Sequence, residues 1–396
     1  MARKRRTLRR KEAEKQILRV IYNHGPVSQA DIAGSLHLTD SVLGSSIDPL
    51  VGSGLLSASN ILVPEKEKPD KLVDFVPSSY FTVGVDAGPY ATYCCVQDVR
   101  DRVLIAQDFP VCPKDYPSAV GYLAEVVSTL IQRSGVDPDK IAGVCIGTPG
   151  FVDSEKGLVR HSTMYDWGDV WLADDVRAIT GYPCMVENNA RCRALSASRS
   201  QEDVPQIFAY FYVAKGICSP MIIGNNDYPG AVQLSGEIGH MVMMKDGPEC
   251  PSCGHRGCLE ALSSERAVVG QAKALRASGA VTDLPQSGDF GIAEVMEAAR
   301  AGDRRVQAIL DEAMVYLGLA LSNVINILNP ALVLVDGYML RDEKNKSTML
   351  STAREHVFAI DINDVEIRYV EFDKYRTARG AAAKAVERFV IEEEPA

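Results

Sequence analysis

Apolar residues recur at helical spacing soon after the start of the chain, within otherwise polar sequence. Apolar residues spaced three and four positions apart predict an amphipathic helix over residues 12–24, and Gly25 and Pro26 are expected to end it. A second helix, QADIAGSL, follows Ser28, whose hydroxyl suits an N-cap position. The first part of the chain is therefore expected to form a small helical module.

A third helix and a pair of strands complete this module. The helix begins near Asp40 with Leu43 and Ile47 on its buried side, and Pro49 is expected to shorten or kink it because proline lacks a backbone N–H. Leu55 and Leu56 start a predicted strand, and residues 61–76 predict two strands around a charged turn. Three helices followed by a hairpin are similar to a winged helix-turn-helix, which binds DNA.

The rest of the chain alternates apolar runs of strand length with helical patterns. Residues 92–98 and 141–147 predict strands, the second fully buried, and the alternation continues to residue 390. Such alternation is typical of an α/β architecture. We therefore predict a DNA-binding domain over residues 1–76 and an α/β domain over residues 77–396.

Composition favours an intracellular protein. The chain has 396 residues, of which 46% are hydrophobic and 24% charged. No apolar run approaches the roughly 18 residues of a membrane span, and the basic N-terminus lacks the apolar segment of a secretory signal. Ten cysteines without such a signal favour a reducing compartment, with metal ligands among them rather than disulfides. We expect a cytoplasmic protein with no membrane partner.

The net charge is -10, yet the first residues are strongly basic. This asymmetry favours contact with the phosphates of a double-stranded DNA operator. The third helix has no Arg or Lys, the commonest base readers, so affinity is expected to depend on the basic arm and the wing. The alternative is a module that serves only oligomerisation. The candidate DNA contacts are Arg3, Lys4, Arg5, Arg6, Arg9, Arg10, Thr39, Ser41, Ser45, Ser46, Lys66 and Lys68.

A candidate metal site lies in the segments GEIGH and CPSCGHRGC. Imidazole nitrogen and thiolate sulfur suit zinc, and one histidine with three cysteines at short spacing can wrap a single ion. Four protein ligands leave no open position, so the zinc is expected to be structural rather than catalytic. The predicted ligands are His240, Cys250, Cys253 and Cys258.

GEIGH followed by CPSCGHRGCLE resembles the zinc signature of the ROK family, named for repressors, open reading frames and kinases. The usual family loop is CxC, so this chain has one extra residue between Cys250 and Cys253. The resemblance covers residues 80–390 and implies a two-lobed, actin-like and ribonuclease-H-like domain with its ligand cleft between the lobes and a zinc loop at 240–260. The family holds sugar kinases and sugar-sensing transcription factors.

The elements that family kinases use for ATP are altered here. The first phosphate loop corresponds to residues 86–91, where Pro89 removes an amide. The second corresponds to residues 214–220, where only Gly216 survives, and the adenosine element corresponds to residues 335–338. Phosphate nests depend on glycine backbone angles and free amides, so we expect no ATP to bind.

The family's catalytic aspartate corresponds to Asn189. A kinase needs a carboxylate at this position to accept the proton of the sugar hydroxyl, and general-base catalysis is worth about 10²–10⁴-fold. An amide is not a useful base near neutral pH. No catalytic residue is therefore assigned.

The resemblance also implies a sugar site, because carboxylates and amides pair with vicinal hydroxyls. His240 is expected to use one nitrogen for zinc and to turn the other towards the ligand. Met164 stands where the family has an asparagine, which favours a different sugar, a sugar phosphate or an amino sugar; an empty, vestigial cleft is the alternative. The implied sugar-binding residues are Gly150, Asn188, Asn189, Glu237, His240 and Glu260.

We therefore predict a ROK-type transcriptional regulator, a repressor of carbohydrate-related genes that is gated by a sugar or sugar derivative. It is expected to act as a homo-oligomer, either dimer or tetramer, in which sugar closes the two lobes and changes the spacing of the DNA modules. Two alternatives remain open. One is a sugar kinase with an appended DNA module, and the other is a regulator gated by a protein partner.

Overall fold

The structure is a computed structural model, which describes residues 8–9, 11–61, 70–162, 164–201, 203–224, 226–359 and 361–394. They form two compact units: unit 1 is Met1–Ser196 with Asp373–Ala396, and unit 2 is Ala197–Phe372. Arg9 is described by its backbone alone. The predicted DNA contacts that lie outside the described residues are Arg3, Lys4, Arg5, Arg6, Arg10, Lys66 and Lys68.

Helices and strands alternate along the described chain, which confirms the predicted α/β class. The helices are α1 Glu12–His24, α2 Gln29–Leu36, α3 Asp40–Gly52, α4 Tyr116–Ser134, α5 Leu172–Thr180, α6 Asn189–Arg199, α7 Leu259–Ser263, α8 Glu265–Ala277, α9 Ile292–Arg300, α10 Arg304–Leu328, α11 Glu343–His356 and α12 Arg376–Val386. The strands are β1 Leu8–Arg9, β2 Val27–Ser28, β3 Leu56–Ile61, β4 Asp70–Phe75, β5 Phe81–Ala87, β6 Thr92–Asp98, β7 Val103–Phe109, β8 Ile141–Thr148, β9 Phe151–Asp153, β10 Leu158–Ser162, β11 Trp167–Val170, β12 Cys184–Asn188, β13 Ile207–Val213, β14 Ile217–Cys218, β15 Met221–Ile223, β16 Asn226–Asp227, β17 Leu332–Gly337, β18 Glu366–Tyr369 and β19 Glu393–Glu394.

The first three helices and a small sheet of order β2-β4-β3 form the N-terminal helix-turn-helix module of unit 1. Ser28 accepts a hydrogen bond from the Asp31 amide at 3.1 Å and so caps α2, as predicted. Thr39 caps α3 in the same way. The three predicted helices are confirmed within a residue of their expected starts.

Two local expectations for this module are corrected, the shortening of α3 by Pro49 and the extent of the hairpin strands. Helix α3 continues through Pro49 to Gly52, because the proline lies in the last turn, where its missing N–H costs a single helical hydrogen bond. The hairpin strands are β3 and β4, so of residues 61–76, which were predicted as two strands, only Ile61 and β4 lie in strands of the described chain. The strand predicted to start at Leu55 and Leu56 is confirmed, because β3 begins at Leu56 after a turn at Gly54.

An apolar cluster joins this module to the rest of unit 1. Ile17 and Ile21 of α1 share it with Val99 in the β6–β7 turn and with Val390 in the π-helical segment Glu387–Glu392 that continues α12. Burial of this continuous apolar surface holds the N-terminal module against the remainder of the unit.

Polar contacts from the β6–β7 turn hold the end of α1. The Arg100 guanidinium donates to the carbonyl of Gly25 at 2.5 Å and lies 3.4 Å from the carboxylate of Asp74 in β4. The Tyr22 hydroxyl donates to Asp101 at 2.7 Å. The turn therefore contacts both the first helix and the wing strand of the module.

The main sheet of unit 1 has the order β12-β8-β5-β6-β7. Strands β12, β8 and β5 run parallel, and β6 and β7 run antiparallel to their neighbours. Helix α12 packs closely on β5, because a Cβ on Gly84 would lie 1.8 Å from the Ala378 carbonyl oxygen. The parallel strands end beside one another, so Asp86, Gly150 and Asn188 belong to one edge of the sheet.

Unit 2 is built on a sheet of order β16-β15-β13-β17-β18, with β14 paired to β13. Its apolar core includes much of α10, in which Leu317 and Leu321 are fully buried. By length and composition α10 resembles a membrane span, although 56% of its most apolar stretch is buried inside the protein. Such burial is usual for a core helix of a globular protein.

Candidate metal centre and ligand-binding residues

The four predicted metal ligands of unit 2 lie together. The ligand atoms of His240, Cys250, Cys253 and Cys258 all lie within 4.8 Å of one another. His240 Nδ1 is 3.8 Å from Cys250 Sγ, and the sulfurs of Cys253 and Cys258 are 3.7 Å apart. These spacings match the edges of a small tetrahedron of sulfur and nitrogen donors around one ion.

Close backbone approaches shape this loop. Gly257 has a φ of +75°, and a Cβ on it would lie 1.6 Å from the Met244 carbonyl oxygen. Gly254 also adopts a left-handed φ, and its amide donates to the Cys250 carbonyl at 2.8 Å. The glycines therefore allow the chain to fold tightly between the second and third cysteines.

The chemistry of these thiols fits a bound cation. Burial and the neighbouring thiols raise the pKa of Cys258 to about 12, and burial also raises the pKa of Cys250. Three thiolates are unfavourable together without a positive charge, whereas a coordinated metal deprotonates its thiol ligands. The donor set is therefore suited to a metal of the zinc type.

Two carboxylates of unit 2 lie near the cluster. Burial, and then the charge of Glu260, raises the pKa of Glu237 to about 7. Glu260 is itself buried and accepts hydrogen bonds from Ser252 and, at 2.7 Å, from Arg266. The sequence analysis did not predict these roles of Ser252 and Arg266. The extra residue between Cys250 and Cys253 was the one signal that pointed to the segment containing Ser252.

In unit 1, three of the residues predicted to bind sugar lie at the ends of β8 and β12. Asn188 donates to the Gly150 carbonyl at 2.9 Å and accepts from the Ala190 amide at 2.9 Å, so it caps α6. Gly150 has a φ of +119°, which a side chain would strain. Asn189 follows directly as the first residue of α6.

A buried ion pair supports this edge. Glu187 lies 3.2 Å from the Arg191 guanidinium and accepts from the Ser154 hydroxyl at 2.9 Å. Glu187 also accepts from the amide of Asn188 at 2.7 Å. The network fixes the backbone next to Asn188 and Asn189, so the two amide side chains are presented from a rigid element.

The segment predicted to correspond to the first phosphate loop carries a buried acid and an exposed aromatic ring. Asp86 is buried, and this burial raises its pKa to about 7 against the opposing effects of Arg193 and Thr377. Tyr90 places an exposed aromatic ring in the same loop, beside Pro89. A carboxyl that holds its proton near neutral pH is a weak ligand for Mg²⁺.

The other two nucleotide elements lie in unit 2. The second loop is a tight hairpin in which the Ala214 amide donates to the Gly216 carbonyl at 2.9 Å. At the end of β17, the hydroxyl of Tyr210 donates to Asp336 at 2.5 Å, and both residues are buried. Met164 of unit 1, which stands where the family is expected to have an asparagine, packs against an apolar cluster.

The predicted DNA contacts on α3 divide into two groups. Thr39, Ser41 and Ser45 are exposed. Ser46 is only 8% exposed, and its hydroxyl donates to the Val42 carbonyl at 3.0 Å. A direct DNA contact by Ser46 is therefore not expected, because its side chain faces the interior of the module.

Known proteins resemble this chain over nearly its whole length. The xylose repressor of Bacillus spizizenii is 23% identical over 390 residues, which is 97% of each chain. The glucokinase of Thermotoga maritima is 30% identical over 229 residues, or 55% of this chain and 70% of that protein. A crystal structure described as a ROK family transcriptional regulator, homologous to the Escherichia coli MLC protein, superposes with a TM-score of 0.82 at 22% identity, covering 96% of each chain.

A sequence profile of the ROK family matches residues 82–388, which is most of the chain. This range spans the predicted metal ligands, the altered nucleotide elements and the predicted sugar-binding residues. At 22% identity, the similarity to this solved structure shows the fold of the chain and nothing further. The fold includes the N-terminal helical module that precedes residue 82. The protein belongs to the ROK family.

Proposed function

We propose that this protein is a sugar-responsive transcriptional repressor without sugar kinase activity. Relatives of matching length support the repressor role, since the xylose repressor aligns with 97% of this chain. The observation that carries the proposal is the helix-turn-helix module packed on a ROK domain whose nucleotide elements are altered. The protein is proposed to act in the cytoplasm as a homodimer on an operator.

The proposed effector is a sugar or sugar derivative. Gly150, Asn188, Asn189, Glu237, His240 and Glu260 are proposed to bind it. The support is chemical: amide and carboxylate groups suit hydroxyls, Asn188 donates to the Gly150 carbonyl and accepts from the Ala190 amide, and Glu260 accepts from Arg266. His240 presents Nδ1 to the cysteine cluster, which leaves Nε2 for a ligand.

A structural zinc ion is proposed at the cysteine cluster. His240, Cys250, Cys253 and Cys258 would hold it, with no position open for chemistry. The ion would neutralise the thiolates and fix the loop that precedes Glu260.

Fluorescence anisotropy of the purified protein on DNA from its own upstream region tests the proposal. Sequence-selective binding that one sugar of a panel releases, with Kd falling steeply as salt is lowered, is the expected result. If the protein binds its upstream DNA selectively and no sugar or sugar phosphate changes this affinity, the proposal that a sugar gates the repressor is contradicted. Weak binding that is indifferent to sequence would contradict the DNA-binding part.

A sugar kinase is the second candidate, and the Thermotoga maritima glucokinase relative favours it. A coupled assay of ADP release with magnesium ATP and several hexoses separates the two. Turnover above background that Asn189→Ala abolishes would establish the kinase and remove the proposal of an inactive domain.

A further inference from the structure

Glu260 is held from one side. Arg266 Nη2 donates to Glu260 Oε1 at 2.7 Å and to the Ser252 hydroxyl oxygen at 2.8 Å, while the Ser252 hydroxyl donates to the same Oε1. The three groups form a closed triangle. The Glu260 side chain is 8% exposed and the Arg266 side chain 44% exposed, so water reaches the arginine side chain far more than the acid.

The second oxygen of Glu260 faces a glycine. A Cβ built on Gly216 would lie 3.1 Å from Glu260 Oε2, and outside the two adjacent residues of the chain only Glu260 comes within 4 Å of that position. Gly216 does not need glycine for its backbone angles, since its φ is not in the left-handed region. The absence of a side chain at Gly216 therefore leaves space beside Oε2.

Ser252 reaches Glu260 because of its place in the cysteine loop. It lies between Cys250 and Cys253, where this chain has two intervening residues, Pro251 and Ser252. Arg266 lies in the first turn of α8, which begins directly after α7 and its Glu260. The two donors thus come from different elements and meet on one oxygen.

We propose that Ser252 and Arg266 make Glu260 a one-sided acceptor: they occupy Oε1, and Oε2, in the space left by Gly216, accepts a single hydroxyl of the sugar. This inference rests on the proposed function. Ser252 and Arg266 are positioning residues that set specificity, because a carboxylate whose Oε1 is occupied cannot bind two vicinal hydroxyls in the bidentate manner, with one hydroxyl on each oxygen. Gly216, the surviving glycine of the second phosphate loop, serves the sugar rather than a phosphate.

Calorimetric titration of the full chain tests this with D-xylose, D-glucose and N-acetyl-D-glucosamine, followed by the monodeoxy analogues of the tightest binder. Gly216→Ala crowds Oε2 alone, and the double variant Ser252→Ala with Arg266→Ala frees Oε1. Gly270→Ala on α8 is the matched control, since a Cβ there meets nothing within 4 Å. Metal content and melting temperature are measured for each variant to show that the loop is intact.

The expected result is a non-additive pattern. Wild-type protein binds one monodeoxy analogue about tenfold more weakly than its parent, as for loss of one hydrogen bond to a charged acceptor. Gly216→Ala binds the parent about tenfold more weakly and discriminates little against that same analogue. In the double variant, loss of a neighbouring hydroxyl also weakens binding, because Oε1 is now available to accept from that hydroxyl. Gly270→Ala is expected to behave as wild type.

Equal losses for every analogue in Gly216→Ala, or an unchanged analogue pattern in the double variant, would overturn the inference while leaving sugar binding in place. Wild-type protein that binds none of the sugars would overturn it together with the sugar-gated part of the proposed function. The two failures are therefore distinguishable.

Discussion

The predicted sugar-binding residues and the nucleotide elements of this chain differ in how their polar groups are arranged. Asn188 and Glu260 are polar, and each is fixed by hydrogen bonds with neighbouring groups. The nucleotide elements instead carry a buried acid at Asp86, an exposed ring at Tyr90 and a buried tyrosine–aspartate pair at Asp336. One family fold can thus keep the groups for one ligand while those for another change.

The contrast separates recognition from catalysis. A sensor needs only differential affinity for a ligand between two states, whereas a kinase needs a base, a metal-bound nucleotide and in-line geometry at once. We propose that in this chain Asn189 and the altered phosphate loops remove several of those requirements together. The predictions below test whether the two regions really differ, from the largest effect to the smallest.

The largest effect concerns turnover. Asn189→Asp restores the carboxylate of family kinases, yet we expect ADP release to stay at background with every hexose, because the phosphate loops still lack their amides and glycines. The coupled assay measures this, with a ROK glucokinase as positive control. A rise of about 10²-fold or more in the variant would show that the nucleotide elements remain competent.

Loss of the metal site comes next. Cys258→Ser removes a fully buried member of the proposed zinc site, and we expect less than one zinc per chain together with a marked loss of stability, since a structural zinc contributes folding free energy directly. Metal analysis and thermal melting provide the measurements. Cys218→Ser is the matched control, because Cys218 lies outside the four-residue cluster. Unchanged melting of a zinc-free Cys258→Ser protein would refute the structural role.

The third effect is a pH dependence at the first phosphate loop. The pKa of Asp86 rises from 3.8 to about 7 on folding, so the folded state holds this proton and loses stability as pH rises through that window. At roughly 1.4 kcal/mol per pKa unit, Asp86→Asn should gain about 3 kcal/mol relative to wild type between pH 5 and pH 8. Denaturant unfolding at the two pH values checks this.

A difference between Asp86→Asn and wild type that is the same at both pH values would mean that Asp86 ionises normally. In that case the carboxyl would be a better candidate for a magnesium ligand than its burial indicates, and the contrast between the two regions would weaken.

The smallest effect tests how the DNA module is held. Arg100→Ala removes donors to the Gly25 carbonyl and the ion pair with Asp74, and we expect a loss of about 2 kcal/mol because partly exposed groups keep some solvation. Denaturant unfolding gives the loss, and limited proteolysis near residue 77 reports loosening of the module. Arg133→Ala, at the end of α4, is the control. Equal protection of both variants would mean that the apolar cluster alone holds the module.

The periodic parts of this structure were predictable from sequence. The apolar spacing of Ile17 and Ile21 predicted α1, and the hydroxyl of Ser28 marked the start of α2. The cysteine spacing predicted the cluster because its ligands lie close together in the chain. These features depend on local geometry, which local sequence encodes.

Contacts between distant elements were not predictable. Arg100 meets Gly25 across 75 residues, and no pattern along the chain links them. The triangle of Ser252, Glu260 and Arg266 is closer in sequence, yet it depends on how the cysteine loop turns back on α8. Such contacts depend on tertiary packing, which one sequence does not reveal.

The most direct test of the contrast is calorimetry on one protein preparation with two classes of ligand. We predict that one sugar of the panel binds with one site per chain, and that the nonhydrolysable nucleotide AMPPNP with Mg²⁺ gives no binding heat, with or without that sugar. Micromolar binding of the nucleotide, or binding of nucleotide in the absence of any sugar binding, would contradict the account.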